Sequence, residues 1–280
     1  VIPASFEYEV AESADDAVRL LGQHGEDAKL LAGGHSLLPI MKLRLATPSV
    51  LVDIGRIREL NYVRDGGDHI AIGAVTPHED IHFNELLRRE NPLLAHTAGE
   101  VGDPQVRHRG TIGGSVSHGD PASDLPTVLL AMDASFVVRG PNGERTVAAR
   151  DFFKSFFVTD LGEQEILTEI RVPKLAGAGW SYQKFHPRAQ DWAIVGAAAL
   201  VTRGNGDPGR TAVALTNMGE TPVRAQAVEE ALGAGAGVAE AAEQASQGTS
   251  APNDAQATTE YRNHLAKVLT RRAIEEARSR

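Results

Sequence analysis

Two short segments concentrate the groups that could do chemistry in this chain, and both are rich in glycine. The first, Lys29-Leu30-Leu31-Ala32-Gly33-Gly34-His35-Ser36-Leu37-Leu38-Pro39, runs an apolar strand directly into paired glycines. Glycine tolerates positive φ and lets backbone approach a ligand, and consecutive exposed N–H groups form a concave anion site without any lysine. Taken alone, the same pattern also describes a plain tight turn. The second, Arg109-Gly110-Thr111-Ile112-Gly113-Gly114-Ser115-Val116-Ser117-His118-Gly119-Asp120-Pro121-Ala122-Ser123-Asp124, is dense in glycine and small hydroxyl residues. Its N–H and O–H donors suit a pyrophosphate and a ribose, or else an ordered loop capped by Asp124. The two segments lie about 80 residues apart. One on each of two subdomains would clamp an elongated dinucleotide from both sides.

Three further motifs invite chemistry and have plainer readings. His78-Glu79-Asp80-Ile81-His82 has the HExxH spacing, in which two imidazoles one helical turn apart bind zinc and the glutamate acts as base. Thr76-Pro77-His78-Glu79 reads better as a helix start, with Thr76 as N-cap, Pro77 at the first position and Glu79 reaching back. No third metal ligand is evident. Gly204-Asn205-Gly206-Asp207-Pro208-Gly209 matches the GxGxxG dinucleotide fingerprint, but a strand-like run follows where a helix is needed, so a hairpin loop is expected. Arg271-Arg272 reads as a solvated helix face.

The elements that must carry the glycine loops can be read from periodicity. Ser13-Ala14-Asp15-Asp16 is a capped helix start, followed by Ala17, Val18 and Leu21 at helical spacing. Apolar runs at Ala28–Ala32 and Val50–Ile54 flank Gly33-Gly34, giving a βαββ-like α/β subdomain over residues 1 to about 55. From 56 to about 175 the expectation is an α+β subdomain: a strand at His69–Ala74, helices at Pro77–Arg89, Pro92–Val101 and Asp124–Met132, and a hairpin turning at Gly140-Pro141-Asn142-Gly143. A further strand is expected at Glu165–Pro173. Residues 176–280 then form a smaller C-terminal domain. It comprises three strands (Trp180–Phe185, Ala193–Arg203, Arg210–Met218), a segment from Gly233 to Pro252 that is either weak helix or mobile surface, and a last helix from Thr258 to Arg278.

Composition removes whole classes of function. A chain of 280 residues with 42% hydrophobic and 23% charged residues is of ordinary globular make-up. Its net charge of -9 argues against nucleic acid as the partner. There are no cysteines, so this chain holds no disulfide, no thiolate zinc site and no iron–sulfur cluster. The start, Val1-Ile2-Pro3-Ala4-Ser5, lacks a basic and apolar leader pattern, and a cytoplasmic location is expected.

Ala32-Gly33-Gly34-His35-Ser36, with Thr111-Ile112-Gly113-Gly114-Ser115 and Asp120-Pro121-Ala122-Ser123-Asp124-Leu125-Pro126, resembles the FAD-binding medium subunit of molybdenum hydroxylases in the xanthine dehydrogenase superfamily. The histidine and serine after the first glycine pair are most like the aerobic carbon monoxide dehydrogenase type, and the resemblance runs from Pro3 to about residue 220. It implies a vanillyl-alcohol-oxidase-type α+β fold: two α/β subdomains gripping FAD, then a C-terminal domain with a three-stranded antiparallel sheet and helices. Carried over by position, FAD contacts fall on Lys29, Leu30, Leu31, Ala32, Gly33, Gly34, His35, Ser36 and Leu37. They continue on Val101, Thr111, Ile112, Gly113, Gly114, Ser115, His118, Asp124, Leu167 and Lys184. The family often has Asn in place of Ser115. Trp192 either sets an aromatic ring near the isoalloxazine or is a core or domain-interface residue.

The resemblance further implies a hetero-oligomer, a dimer of heterotrimers with an iron–sulfur small subunit and a molybdopterin large subunit. Electrons would pass through FAD to a quinone or respiratory-chain acceptor at the inner face of the cytoplasmic membrane. No residue of this chain is expected to act as nucleophile, acid or base. The competing readings are a self-sufficient flavin oxidase or reductase of the same fold, and a nucleotide-sensing scaffold without redox activity.

Overall fold

The computed structural model describes residues 2–202 and 209–280. The chain opens with β1 (Glu7–Val10), α1 (Ala14–His24), β2 (Ala28–Leu31), α2 (Leu37–Lys42) and β3 (Val50–Asp53), forming a parallel sheet in the order β1-β3-β2. Ser13 caps α1 by accepting from Asp16 N, and Asp15 and Asp16 complement the helix dipole. Ala17, Leu20 and Leu21 of α1 pack on Val50 and Val52. Because β3 lies between its neighbours and is covered on both faces, all four of its residues are buried. The βαββ expectation lacked α2. Parallel strands cannot be joined by a tight turn, so the crossover from β2 to β3 needs this short helix, which starts immediately after the first glycine loop.

A second, antiparallel sheet has the order β4-β5-β10-β6-β7. It begins with β4 (Val63–Asp65) and β5 (His69–Gly73), then α3 (His78–Phe83), α4 (Glu85–Glu90), α5 (Pro92–Gly99), α6 (Pro104–Arg107), α7 (Ile112–His118) and α8 (Asp124–Ala131). There follow β6 (Ser135–Gly140), β7 (Gly143–Ala148), α9 (Ala149–Phe152), β8 (Phe153–Ser155), β9 (Val158–Thr159) and β10 (Ile166–Pro173). The hairpin closes as expected with Gly140 opposite Gly143, whose φ is 105°. The expected helix 77–89 is broken at Asn84, whose side chain caps α4 by accepting from Leu87 N. Thr76 is not the cap of α3: its hydroxyl donates to Tyr62 O and accepts from Tyr62 N, and Glu79 bonds Arg107 instead of reaching back.

The C-terminal part holds β11 (Gly179–Phe185), β12 (Val195–Thr202), β13 (Arg210–Thr216), β14 (Val223–Arg224), α10 (Gln226–Gly233), α11 (Val238–Ala242) and α12 (Thr259–Ser279). Its antiparallel sheet has four strands, β11-β12-β13-β14, where three were expected. The fourth is two residues long and leaves no alternation to read. β12 is buried at every position but its last, because α8 covers one face of the sheet and α12 the other. Small side chains make this close approach feasible: a methyl group at Gly179 would overlap the Ala277 carbonyl in α12. Residues 233–252 include α11, whose Ala241 and Ala242 are buried. The hairpin expected at Gly204–Gly209 falls on residues outside those described, save Gly209, but a strand and not a helix follows it. Among the described residues no helix is long and apolar enough to cross a membrane.

Candidate functional site

The first glycine loop leaves the end of β2 and enters α2. Gly34 has φ 76°, a conformation that glycine alone adopts without strain. Among the described residues, the N–H groups of Gly33, Gly34, His35 and Ser36 meet no protein acceptor, and all four residues are at least partly exposed. Four successive donors are thus left without a protein partner, the kind of backbone an anion can occupy. Lys29 is exposed, while Leu30, Leu31, Ala32 and Leu37 are half-buried around it.

The second loop meets the first directly. A methyl group on Gly33 would overlap the Arg109 carbonyl and crowd Gly110, so the loops touch through backbone. Thr111 caps α7, accepting from Gly114 N at 3.1 Å. Ile112 N and Gly113 N donate to Thr76 O and Ala74 O, and Ser115 N to Thr111 O. These amides are consumed by the fold. Of the amides expected to meet a diphosphate, those left without a protein acceptor lie in the first loop, while the second presents the exposed Gly114 and the half-buried Ser115. His118, at the end of α7, lies 4.8 Å from the Phe157 ring, and burial lowers its pKa.

Asp124, at the start of α8, and Lys184, on β11, form a buried ion pair at 2.8 Å. Lys184 also donates to Glu100 O at 2.9 Å, and Tyr182 donates its hydroxyl to the other Asp124 oxygen at 2.7 Å. Burial pushes the Asp124 carboxyl upward, opposed by the attraction of Lys184 and the bonds from Lys184 and Tyr182. The alternative reading of Asp124 as a loop cap does not hold: it is the first residue of α8, and its carboxylate is taken by Tyr182 and Lys184 of β11. Val101, half-buried, has its carbonyl bonded by Arg107. Leu167 is 4% exposed, within the core of the second sheet. Trp192 is 63% exposed in the loop between β11 and β12, which excludes a core role.

The sequence reading missed Tyr182, Arg107 and His78 in this setting. His78 is buried against Gly110, its Nδ1 has no partner, and burial with the nearby His35 and Arg107 holds its pKa down to about 4. His82 Nδ1 bonds Ala95 O. Among the described residues no group of three His, Cys, Asp or Glu side chains is placed to hold a metal ion.

Four open amides beside a backbone-to-backbone contact between two lobes fit the diphosphate of a dinucleotide cofactor. The FAD binding domain family of molybdopterin dehydrogenases matches residues 4–175, and the carbon monoxide dehydrogenase flavoprotein C-terminal domain family matches residues 180–277. The chain belongs to this FAD-binding family: it is an oxidoreductase subunit and its cofactor is FAD.

Among individual proteins, it is 42% identical to the carbon monoxide dehydrogenase medium chain of Hydrogenophaga pseudoflava, over 100% of this chain and 99% of that one. It is 37% identical to the glyceraldehyde dehydrogenase medium chain of Sulfolobus acidocaldarius, over 98% of this chain and 99% of the relative. A solved structure of the Hydrogenophaga pseudoflava carbon monoxide dehydrogenase, in a form lacking the Mo-pyranopterin moiety of its cofactor, superimposes with a TM-score of 0.96. The sequence identity is 44%, with coverage of 100% of this chain and 99% of that one.

Proposed function

We propose that this chain is the electron-transferring flavin subunit of a carbon monoxide dehydrogenase. In this reading it takes electrons from iron–sulfur clusters of a small partner subunit, in an assembly whose molybdopterin large subunit oxidises the substrate, and hands them to a quinone at the inner face of the cytoplasmic membrane. The observation that carries the reading is the contact of Gly33 with Arg109 and Gly110 beside four unpaired amides. Relatives named as medium chains support partner subunits, and the 42% identity favours carbon monoxide over the other named substrates.

Residues 1–175 would form the two-lobed cofactor module and 176–280 the domain that closes it. The amides of Gly33 to Ser36 would hold the diphosphate, and Gly114 and Ser115 would bound the opposite wall. Lys184, its charge balanced by Asp124, would hold β11 against α8 beside the flavin. Half-buried Val101 would contribute apolar surface, and Leu167 would back the pocket from within the core. Bound FAD supplies the conversion between one-electron and two-electron exchange. This chain's residues orient it and set its electrostatic surroundings.

The test is reconstitution. The purified chain is expected to take up one FAD, and FAD-loaded chain alone is expected not to oxidise carbon monoxide, while the co-purified assembly does. Oxidation by the isolated chain at the rate of the assembly would refute the subunit reading.

A further inference from the structure

The loop from residue 186 to 194 carries Trp192 and is held at its far end by two side chains from distant parts of the chain. Asn217 Nδ2 donates to Ala193 O at 2.9 Å, and Arg262 Nη1 donates to Ile194 O. Arg262 is fully buried and also bonds Asp254. Asn217 does a second thing: its backbone N–H donates to Pro121 O at 2.8 Å, in the connection between α7 and α8 that continues the second glycine segment. Its φ is 61°, in the left-handed region, where asparagine is one of the few side chains tolerated. A costly backbone conformation at the end of β13 thus lets one residue face two loops at once. The near end of the tryptophan loop begins just past Lys184, whose ammonium sits on Asp124.

We infer that Asn217 is a positioning residue, locking the Trp192 loop to the wall of the flavin cleft through its main-chain and side-chain hydrogen bonds. The inference rests on the FAD reading for what the indole faces. It does not need the substrate to be carbon monoxide.

The chain has two tryptophans, so Trp180→Phe makes Trp192 the sole indole reporter. In that full-length background, Asn217→Gly keeps the left-handed backbone and the bond to Pro121 and deletes only the amide. Asn217→Asp keeps the side-chain shape and deletes its donor. Both variants are expected to melt near the parent. Both should exchange the amides of residues 186–194 faster, show weaker quenching of Trp192 emission by bound FAD, and bind FAD about fivefold less tightly, the ratio given by one ordinary hydrogen bond. Parental exchange rates in both variants would overturn the inference. So would faster exchange with unchanged FAD affinity and quenching, since the loop would then be pinned without bearing on the flavin. A parent chain that takes up no FAD sinks the functional reading instead, and the exchange measurement still scores the pinning.

Discussion

At the scale of single residues, the site combines backbone that must stay bare with charges that must stay paired. Gly33→Ala would force its methyl into the Arg109 carbonyl, an overpacking cost of roughly 1–3 kcal/mol. The expected result is a lower melting temperature together with lost FAD affinity, read by calorimetry and flavin fluorescence. Lys184→Met leaves the Asp124 carboxylate buried with only Tyr182, and stranding one member of such a pair costs about 3–5 kcal/mol. Adding Asp124→Asn should recover most of that loss in denaturant titration. His78 gives a pH dependence. Its folded pKa of about 4 lies below its ordinary 6.5, so the unfolded chain binds the proton first. Its contribution is intact above 6.5 and drains as pH falls toward 4, by roughly 3 kcal/mol in all. His78→Gln should flatten the stability profile over that window. The glycine pairs were legible because a backbone requirement is written in residue type. The Asp124–Lys184 pair was not, since its members stand 60 positions apart and no local pattern links them.

At the scale of elements, long periodic segments announced themselves and short connectors did not. α1, the hairpin of β6 and β7, and α12 follow from capping, turn chemistry and composition. α2 is only six residues and β14 only two, too short for either period to show. The continuous apolar run of β12 was legible as a strand, yet its cause, a helix against each face, depends on α8 and α12 far away in sequence. α7 rests on its cap: Thr111→Ala removes the acceptor for Gly114 N and should cost about 1 kcal/mol. Thr111→Ser should retain it. Comparing the two by urea unfolding with and without FAD separates loss of the helix start from loss of cofactor.

At the scale of the whole molecule, cofactor and fold are thermodynamically linked. FAD at about 100 times its dissociation constant should add about 2.7 kcal/mol, raising the melting temperature on the order of 5 °C in a dose-dependent way. An unchanged melt across that titration would speak against a preformed cradle. The reach of Tyr182 and Lys184 from β11 onto Asp124 has a bearing on how such proteins are inherited. A recombination event falling between residues 173 and 179 would join one ancestor's carboxylate to another ancestor's tyrosine and lysine. Hybrids spliced at that seam should survive only where the incoming half brings both side chains in matching register. Descendants are therefore expected to pass on the two halves as a single unit.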